Sequence, residues 1–321
     1  MPRKNPPTNS DADLNLSTML PLFADEEKAI AFIESKQWPN GPICPFCGGG
    51  EAYPIKSKPG AKRPVRPGLR KCKACRKPFT VRMGTVFEES KIPLRQWLMA
   101  IHLITSSKKG FSSHQLAREL GVTQKTAWFV GHRIRETMKI ELTSGMLSGA
   151  VEVDETYVGG KPRYKGQSKR GRGTKKSPVM VLVERDGKAV CKPIPNVTGK
   201  TLKNEIAVRV AKRAVILTDE NPSYNRIGKE FDGGHETVCH SRKEYVRIHP
   251  ESELSINTNT AESFFSLLKR SHYGIHHKMS KRHLHRYCTE RAFMWNGRNV
   301  SDGHRMVAAI QGAEGKRLKY R

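Results

Sequence analysis

The stretch GAVEVDETYVGG, residues 149–160, places two acidic residues directly after alternating apolar positions. Val151 and Val153 have the period-2 spacing of a half-buried β-strand, and Asp154 and Glu155 follow at positions where such a strand avoids charge. A single aspartate at a strand end most often forms a turn or caps a helix. Whether Asp154 has another role depends on the acidic residues elsewhere in the chain.

The segments that follow predict a sheet around this stretch. SPVMVLVERDG and KAVCKPIPNVTG have the pattern of two further strands, joined by the hairpin signal Asp186-Gly187. KTLKNEIAVRVAKR has helical spacing, and the short apolar strand at 215–217 is again followed by an acid, Asp219. INTNTAESFFSLLKR then predicts a helix that carries Glu262 in its first turn.

Glu262 has two interpretations. With Asn259 as N-cap it matches a capping box, in which the glutamate bonds a backbone N–H and has no chemical role. The set of acids favours a site instead, because Asp154 and Asp219 each follow an apolar strand and Glu262 lies on a later helix. Three converging carboxylates repel one another, and magnesium is the usual counter-ion for such a group.

The charge of the chain indicates a polyanionic partner. Among 321 residues, 58 lysines and arginines face 30 acidic residues, which gives a net charge of +28. The basic residues concentrate in the stretches 56–82, 161–176 and 262–290, as expected for a long nucleic acid that crosses several parts of the protein. The glycine-rich stretch 161–176 is equally well explained as a mobile loop, and a loop that orders on DNA satisfies both interpretations.

The sequence argues against a membrane or secreted protein. It contains no run of about 18 apolar residues and no apolar core of a secretory signal near its start, and we find no basic amphipathic helix that would bind an anionic membrane. We therefore expect a cytoplasmic, nucleoid-associated protein.

Two C-x-x-C motifs predict a structural zinc site. Cys44 and Cys47 form the first pair and Cys72 and Cys75 the second, and each two-residue gap lets both thiolates face one metal. Disulfides are the alternative, but cytosolic thiols stay reduced. The surrounding short strands indicate a zinc ribbon in which the metal replaces a small core.

The next segment predicts a helix-turn-helix that binds DNA. A helix at 92–107 is followed by two shorter helices, capped by Ser112 or Ser113 and by Thr123 and separated by Gly121. Any helical hairpin has a similar pattern, but the basic zinc ribbon beside it favours DNA. The residues predicted to meet a DNA groove are Gln124, Lys125, His132 and Arg133.

Several strings then identify a resemblance to a known family. HETVCHSRKEYV, NTNTAESFFSLLKR and HYGIHHKMSKRHLHRYCTERAFMWNGR resemble bacterial insertion-sequence transposases of the DDE class, which carry a zinc ribbon and a helix-turn-helix ahead of an ISXO2-like catalytic domain. The resemblance covers roughly residues 25 to 300. It implies a multidomain α+β protein whose RNase H-like α/β catalytic domain has a mixed sheet and the element order β-β-β-α-β-α.

The resemblance also implies residue roles and an activity. Asp154, Asp219 and Glu262 would bind Mg²⁺ or Mn²⁺, Lys269 would lie two helical turns beyond Glu262, and the protein would cut and join DNA at the ends of its element. Two neighbouring glutamates are not expected to bind the metal. Alternation from Val151 and Val153 turns Glu152 to the other face of the strand, whereas Glu155 is excluded as a metal ligand mainly by the resemblance. His240 and His249 are candidates to position phosphate or water, although histidines in loops are commonly surface residues.

The predicted domain organisation has five parts. The predicted parts are an N-terminal arm and helix at 1–40, a zinc ribbon at 41–84, a helix-turn-helix at 90–142, an RNase H-like domain at 148–300 and a basic tail at 301–321. The expected partners are the element ends and target DNA, bound by a homo-oligomer. An inactive or domesticated descendant that acts as a DNA-binding regulator is the alternative, and a metal-dependent nuclease without strand transfer is the nearest enzymatic one.

Overall fold

The computed structural model describes residues 11, 14–58, 60, 62, 64–139, 146–160, 175–225 and 227–319. Most of the predicted N-terminal arm and of the basic stretch 161–176 lies outside the described residues. Among the residues that are described, no helix is both long enough and apolar enough to cross a bilayer.

The helices and strands follow one another in chain order. The first part of the chain forms α1 Leu16–Ala24, α2 Glu26–Gln37, β1 Ala52–Pro54, β2 Arg70–Cys72, β3 Pro78–Phe79, α3 Leu94–Ser106, α4 Ser113–Leu120 and α5 Gln124–Thr137. The remainder forms β4 Ala150–Val158, β5 Ser177–Glu184, β6 Ala189–Pro193, α6 Gly199–Ala207, β7 Val215–Thr218, β8 His235–Thr237, β9 Arg247–Ile248, β10 Ser255–Ile256, α7 Asn259–Ser271, α8 Leu284–Asn296 and α9 Asp302–Gln311.

The chain divides into two compact units. Met1–Lys139 and Asn299–Arg321 form the first, and Ile140–Arg298 form the second. In the first unit, β1, β2 and β3 make a small antiparallel sheet, as the zinc-ribbon prediction requires. The apolar positions of α3 are buried as its spacing predicts: Leu94, Trp97, Leu98, Ile101 and Ile104 are at most 1% exposed.

The two short helices after α3 have the predicted caps. Ser112 caps α4 by accepting a hydrogen bond from the Gln115 N–H, and Thr123 caps α5 through the Thr126 N–H. Gly121 ends α4 at φ +64°, a left-handed conformation that glycine adopts without a steric penalty.

The predicted basic tail at 301–321 is instead part of the first unit. It contains α9, which packs against α3 and buries Met306, Ala309 and Ile310 completely. The Arg305 guanidinium donates to the backbone carbonyl of Thr105 at 3.0 Å. The tail prediction is wrong because it considered only the net positive charge of the segment, whereas one face of α9 is apolar and buried.

The second unit is built on a mixed sheet with the strand order β6-β5-β4-β7-β8. β4, β5 and β6 are antiparallel neighbours, whereas β7 runs parallel to β4, and β8 runs parallel to β7. With α6 between β6 and β7, this is the predicted order β-β-β-α-β-α interrupted by β8, β9 and β10 before α7, and it is an RNase H-like arrangement.

Apolar side chains cover both faces of this sheet. Val151 and Val153 face α6 and pack with its Leu202 and Ile206. The other face packs against α7 and α8, and the residues of that cluster include Val179, Val181, Val183, Phe264, Phe265, Leu268, Leu284 and Cys288. Glu152, Asp154 and Thr156 alternate with Val151 and Val153 and therefore point to the α7 side.

Candidate active site

Asp154 and Asp219 come together at neighbouring parallel strands. β4 pairs with β7 in the register Val151 to Ile216 and Glu152 to Leu217, and two more steps along both chains reach Asp154 and Asp219. Adjacent strands lie about 4.8 Å apart, so this register puts the two aspartates beside each other, just past the carboxyl end of β7.

Glu262 lies in the first turn of α7, on the side of the sheet that Asp154 faces. The predicted capping box does not form, because Thr258 is the N-cap residue and makes no side-chain cap bond, which places Asn259 inside the helix. The Asn259 N–H is bonded by the side chain of Asn257 at 3.2 Å instead. The Glu262 side chain is 57% exposed and turns outward from the helix end.

The electrostatics of Asp154 reflect a crowded acidic site. Burial first, and then the charges of Glu155, Asp219 and Glu262, together raise the pKa of Asp154 from its ordinary value of 3.8 to about 7. A hydrogen bond of 2.7 Å from the Glu155 N–H acts against this shift. A bound cation would favour the ionised form of this carboxyl, against both its burial and the charges of its acidic neighbours.

Asp219 and His240 form the second half of the site. Burial raises the pKa of Asp219, while the Asn221 N–H bond of 3.1 Å and the charge of His240 lower it. The Nε2 atom of His240 lies 3.9 Å from Oε1 of Glu262. His240 therefore borders the acidic residues, whereas His249 lies 3.8 Å from Glu236 on the neighbouring hairpin and is not part of this group.

The carboxylates are more widely spaced than the cysteine thiols described below. Among the residues that the structure describes, only the thiols bring three or more potential metal-ligand atoms within 4.8 Å of one another. A site for two metal ions about 3.5–4 Å apart needs wider spacing than a site for one ion. The donor chemistry, carboxylate oxygens with a half-exposed third acid, fits Mg²⁺ or Mn²⁺.

The acids next to Asp154 have other partners. Glu152 shares the face of Asp154, so strand alternation does not set it aside as predicted; its carboxylate is instead completely buried and paired with Arg185. Glu155 points to the α6 side, where it accepts hydrogen bonds from the Asn221 amide and the Tyr224 hydroxyl. Strand alternation therefore places Glu155 on the opposite face of β4 from Asp154. From the sequence, only the family resemblance had indicated that Glu155 is not a metal ligand.

Glu220 connects the end of β7 to the turn that carries His240. Its carboxylate accepts hydrogen bonds from the Cys239 thiol at 2.6 Å and the Ser241 hydroxyl at 2.9 Å, and these bonds lower its pKa. Sequence reasoning did not identify this contact, since Cys239 and Ser241 carry no spacing signal that relates them to Glu220.

Lys269 is exposed on α7, seven residues after Glu262 and on the same side of the helix. At the other end of the unit, Asn296 bonds both the N–H and the carbonyl of Ala189, and Arg298 donates to the carbonyl of Gly187. These last two side chains therefore hold the β5–β6 hairpin and its edge strand.

The four predicted zinc ligands form one cluster in the first unit. Sγ of Cys44 lies 3.6 Å from that of Cys75, and the same distance separates Cys47 from Cys72. Four thiolates about 2.3 Å from one zinc ion lie about 3.8 Å apart, so the cluster fits a tetrahedral site. Hydrogen bonds from backbone N–H groups, that of Cys75 first, lower the pKa of Cys72, so the proton shared within the cluster lies on another thiol such as Cys47.

The predicted DNA-reading residues divide into two pairs. Gln124 and Lys125 are exposed at the start of α5, whereas His132 is 1% exposed and Arg133 is 6% exposed. Arg133 donates to the carbonyls of Glu88 and Leu318. The prediction for His132 and Arg133 is wrong, because other segments of the first unit cover the second half of this helix.

Comparison with known proteins identifies the family. The ISXO2-like transposase domain matches residues 146–296, and the transposase zinc-ribbon domain matches residues 24–78. A protein of Halobacterium salinarum described as an uncharacterized protein in transposable element ISH50 is 30% identical over 276 residues, which are 80% of this chain and 88% of that protein. The chain belongs to the ISXO2-like transposase family. The acidic site lies within the matched transposase domain, and the cysteines lie within the matched ribbon.

Two solved transposase structures are also similar, at a low level. The Mos1 transposase paired-end complex with left transposon end gives a TM-score of 0.24 at 14% identity, covering 68% of this chain and 80% of that one. The Drosophila P element transposase strand transfer complex gives 0.26 at 12% identity, covering 65% and 58%.

Proposed function

We propose that this transposase cleaves and joins DNA strands at a metal site formed by Asp154, Asp219 and Glu262. The observation that supports it best is the register that sets Asp154 beside Asp219, with Glu262 at the start of α7. The raised pKa of Asp154 supports it too, since a buried carboxyl beside other acids is typical of functional sites.

Bound Mg²⁺ or Mn²⁺ would supply Lewis-acid activation of a water or a 3′-hydroxyl and neutralise charge on the reacting phosphate. Asp154, Asp219 and Glu262 would hold the metal through their carboxylate oxygens. His240, beside Glu262, would orient a phosphate oxygen or the attacking water, and Lys269 would contact the DNA backbone.

No side chain is needed as a covalent nucleophile. Tyr224 lies near the acids in sequence but is 1% exposed and donates its hydroxyl to Glu155. Burial raises its pKa well above the ordinary value, and the charge of Glu155 acts in the same direction, so the phenolate is not accessible. Direct attack by water, and then by the freed 3′-hydroxyl, fits this site better.

We also propose that the first unit binds the element ends. Gln124 and Lys125 at the exposed start of α5 would reach base edges in the major groove, and the basic zinc ribbon would contact phosphates. The net charge of +28 supports a strong, salt-dependent attraction to DNA of any sequence. Assembly of several subunits on DNA stays a prediction.

The test uses zinc-loaded full-length protein and labelled duplexes from the two boundaries of its element. Strand cutting and joining with Mg²⁺ or Mn²⁺, absent with EDTA and in Asp154→Asn, is the expected result. End-selective binding without cutting in any metal would identify a DNA-binding regulator instead. Cutting without joining would identify a nuclease.

A further inference from the structure

Glu152 lies on β4 two residues before Asp154, and its carboxylate is completely buried. One oxygen accepts hydrogen bonds of 2.9 Å from the Arg185 Nε–H and the Thr260 hydroxyl, and the other accepts one of 2.9 Å from the Ala261 N–H. Burying an ionised carboxylate is costly unless its oxygens are paired in this way. The bonds therefore define one position for the side chain.

Two of these three partners belong to the first turn of α7. An α-helix begins with N–H groups that have no partner within the helix, and a side chain just before the helix commonly accepts from them. Thr258 makes no such bond here. Glu152 supplies the missing acceptor from a neighbouring strand, and it bonds the N–H of the residue directly before Glu262.

Arg185 extends the same contact to the segment that leads into α7. Besides pairing with Glu152, its guanidinium donates to the carbonyl of Asn257 at 3.1 Å and to the carbonyl of Ser255. The pair thus holds the chain on both sides of the N-cap residue. All of these contacts lie within the second unit.

We infer that Glu152 and Arg185 are positioning residues that set the separation of Glu262 from Asp154, and with it the affinity of the site for a divalent cation. This inference rests on the proposed function, in which those acids bind metal. Ligand groups must be held within about 0.5 Å of the productive geometry, and residues that hold metal ligands change affinity by about 10–100-fold when they are altered.

The test measures Mn²⁺ binding to zinc-loaded full-length protein by electron paramagnetic resonance, without DNA, together with the metal dependence of strand cleavage. Glu152→Gln should weaken Mn²⁺ binding about 10-fold or more. It should raise the Mn²⁺ concentration for half-maximal cleavage by a similar factor, and excess metal should restore most of the rate. Excess metal should not restore Asp154→Asn.

The matched control is Glu205→Gln, which also breaks an ion pair in the second unit. Glu205 lies on α6 and binds Lys192 at 2.9 Å. A structural role alone would lower the melting temperature in both variants and leave Mn²⁺ affinity alike. Equal Mn²⁺ affinity in Glu152→Gln and Glu205→Gln would therefore overturn the inference.

A milder variant covers the case in which Glu152→Gln does not fold. Thr260→Val removes one hydrogen bond to Glu152 and keeps the shape of the side chain, so Mn²⁺ affinity should fall about 3-fold, by analogy with other metal-supporting contacts. An unchanged affinity in that variant overturns the inference.

The Asp154→Asn variant separates the two proposals. If it binds Mn²⁺ as tightly as the unaltered protein, the proposed metal site itself fails. If Asp154→Asn loses binding but the Glu152 and Thr260 variants do not, only the positioning role fails.

Discussion

The side-chain amide of Asn221 donates a hydrogen bond of 2.6 Å to Glu155, joining the middle of β4 to the loop that follows Asp219. Glu155 is thus a connecting residue on the opposite side of the strand from Asp154. The two adjacent carboxylates have separate roles because strand alternation turns them apart.

This separation predicts different effects of two similar substitutions. Asp154→Asn should lower strand cleavage by about 1,000-fold or more, roughly 4 kcal/mol of transition-state stabilisation, because it removes a charged metal ligand. Glu155→Gln should lower it less than about 10-fold, since glutamine still accepts from Asn221. Single-turnover cleavage rates provide the measurement. Equal losses would place Glu155 among the metal ligands.

The position of Glu262 makes a second prediction. Glu262→Gln preserves the size of the side chain and, if the residue were a cap, would preserve function as well. Because Thr258 rather than Asn259 precedes the helix, we expect the helix to persist and cleavage to fall about as far as in Asp154→Asn. Circular dichroism and cleavage rates separate the two. The double variant with Asp219→Asn should lose little more than either single one, and additive losses would contradict a shared site.

The raised pKa of Asp154 gives a third prediction, on stability. The folded protein binds this proton more tightly than the unfolded chain, so below the ordinary value of 3.8 there is no penalty, and stability falls as the pH rises from there to about 7. The shift corresponds to at most about 4 kcal/mol. Without divalent metal, Asp154→Asn should therefore raise the free energy of unfolding at pH 8 and have little effect near pH 4.

Urea denaturation at both pH values, with and without Mg²⁺, measures this effect. Added Mg²⁺ should stabilise the unaltered protein at pH 8 and leave Asp154→Asn unchanged. A variant that is less stable than the unaltered protein at pH 8 without metal would show that the repulsion at this site is already offset by other groups.

The zinc cluster provides a fourth prediction. Purified protein should contain about one zinc per chain, and Cys72→Ser should lose it together with end binding, because the small ribbon sheet depends on the metal. Cys239→Ser, outside the cluster, is the control and should keep its zinc. Metal content by mass spectrometry checks both. Full zinc content after replacement of Cys44, Cys47, Cys72 and Cys75 together would refute the site.

Features that depend on residues close together in the sequence were predictable. Val151 and Val153 mark a strand by local alternation, and the C-x-x-C spacing of Cys44 and Cys47 marks a metal ligand pair, so both were predictable. Asp219 was found because it directly follows an apolar strand. In each case the signal lies within a few residues.

Contacts between distant segments were not predictable in this way. Arg133 is buried because Glu88 and Leu318 accept its hydrogen bonds, and 185 residues separate it from the second of these. Likewise, Glu152 accepts a hydrogen bond from the Ala261 N–H at the start of α7, in place of a nearby capping residue, although 109 residues separate the two in the sequence. The N-cap pattern at Asn259 does not indicate that Glu152 of β4 accepts the hydrogen bond from the Ala261 N–H.

The C-terminal segment gives the last prediction, because it folds as part of the first unit. Gly312 lies so close to α5 that an added Cβ atom would be 2.2 Å from the carbonyl oxygen of Thr137. Gly312→Ala should therefore displace this segment and expose amides of α3 and α5 to hydrogen exchange, while amides of β4 stay protected. Lys319→Ala, an exposed position in the same segment, is the control.

The same substitution should affect DNA binding. End-selective DNA binding should weaken in Gly312→Ala, whereas salt-sensitive binding to any DNA should persist through the basic residues of the second unit. Unchanged protection of α3 and α5 in Gly312→Ala would show that the first unit does not depend on its C-terminal segment.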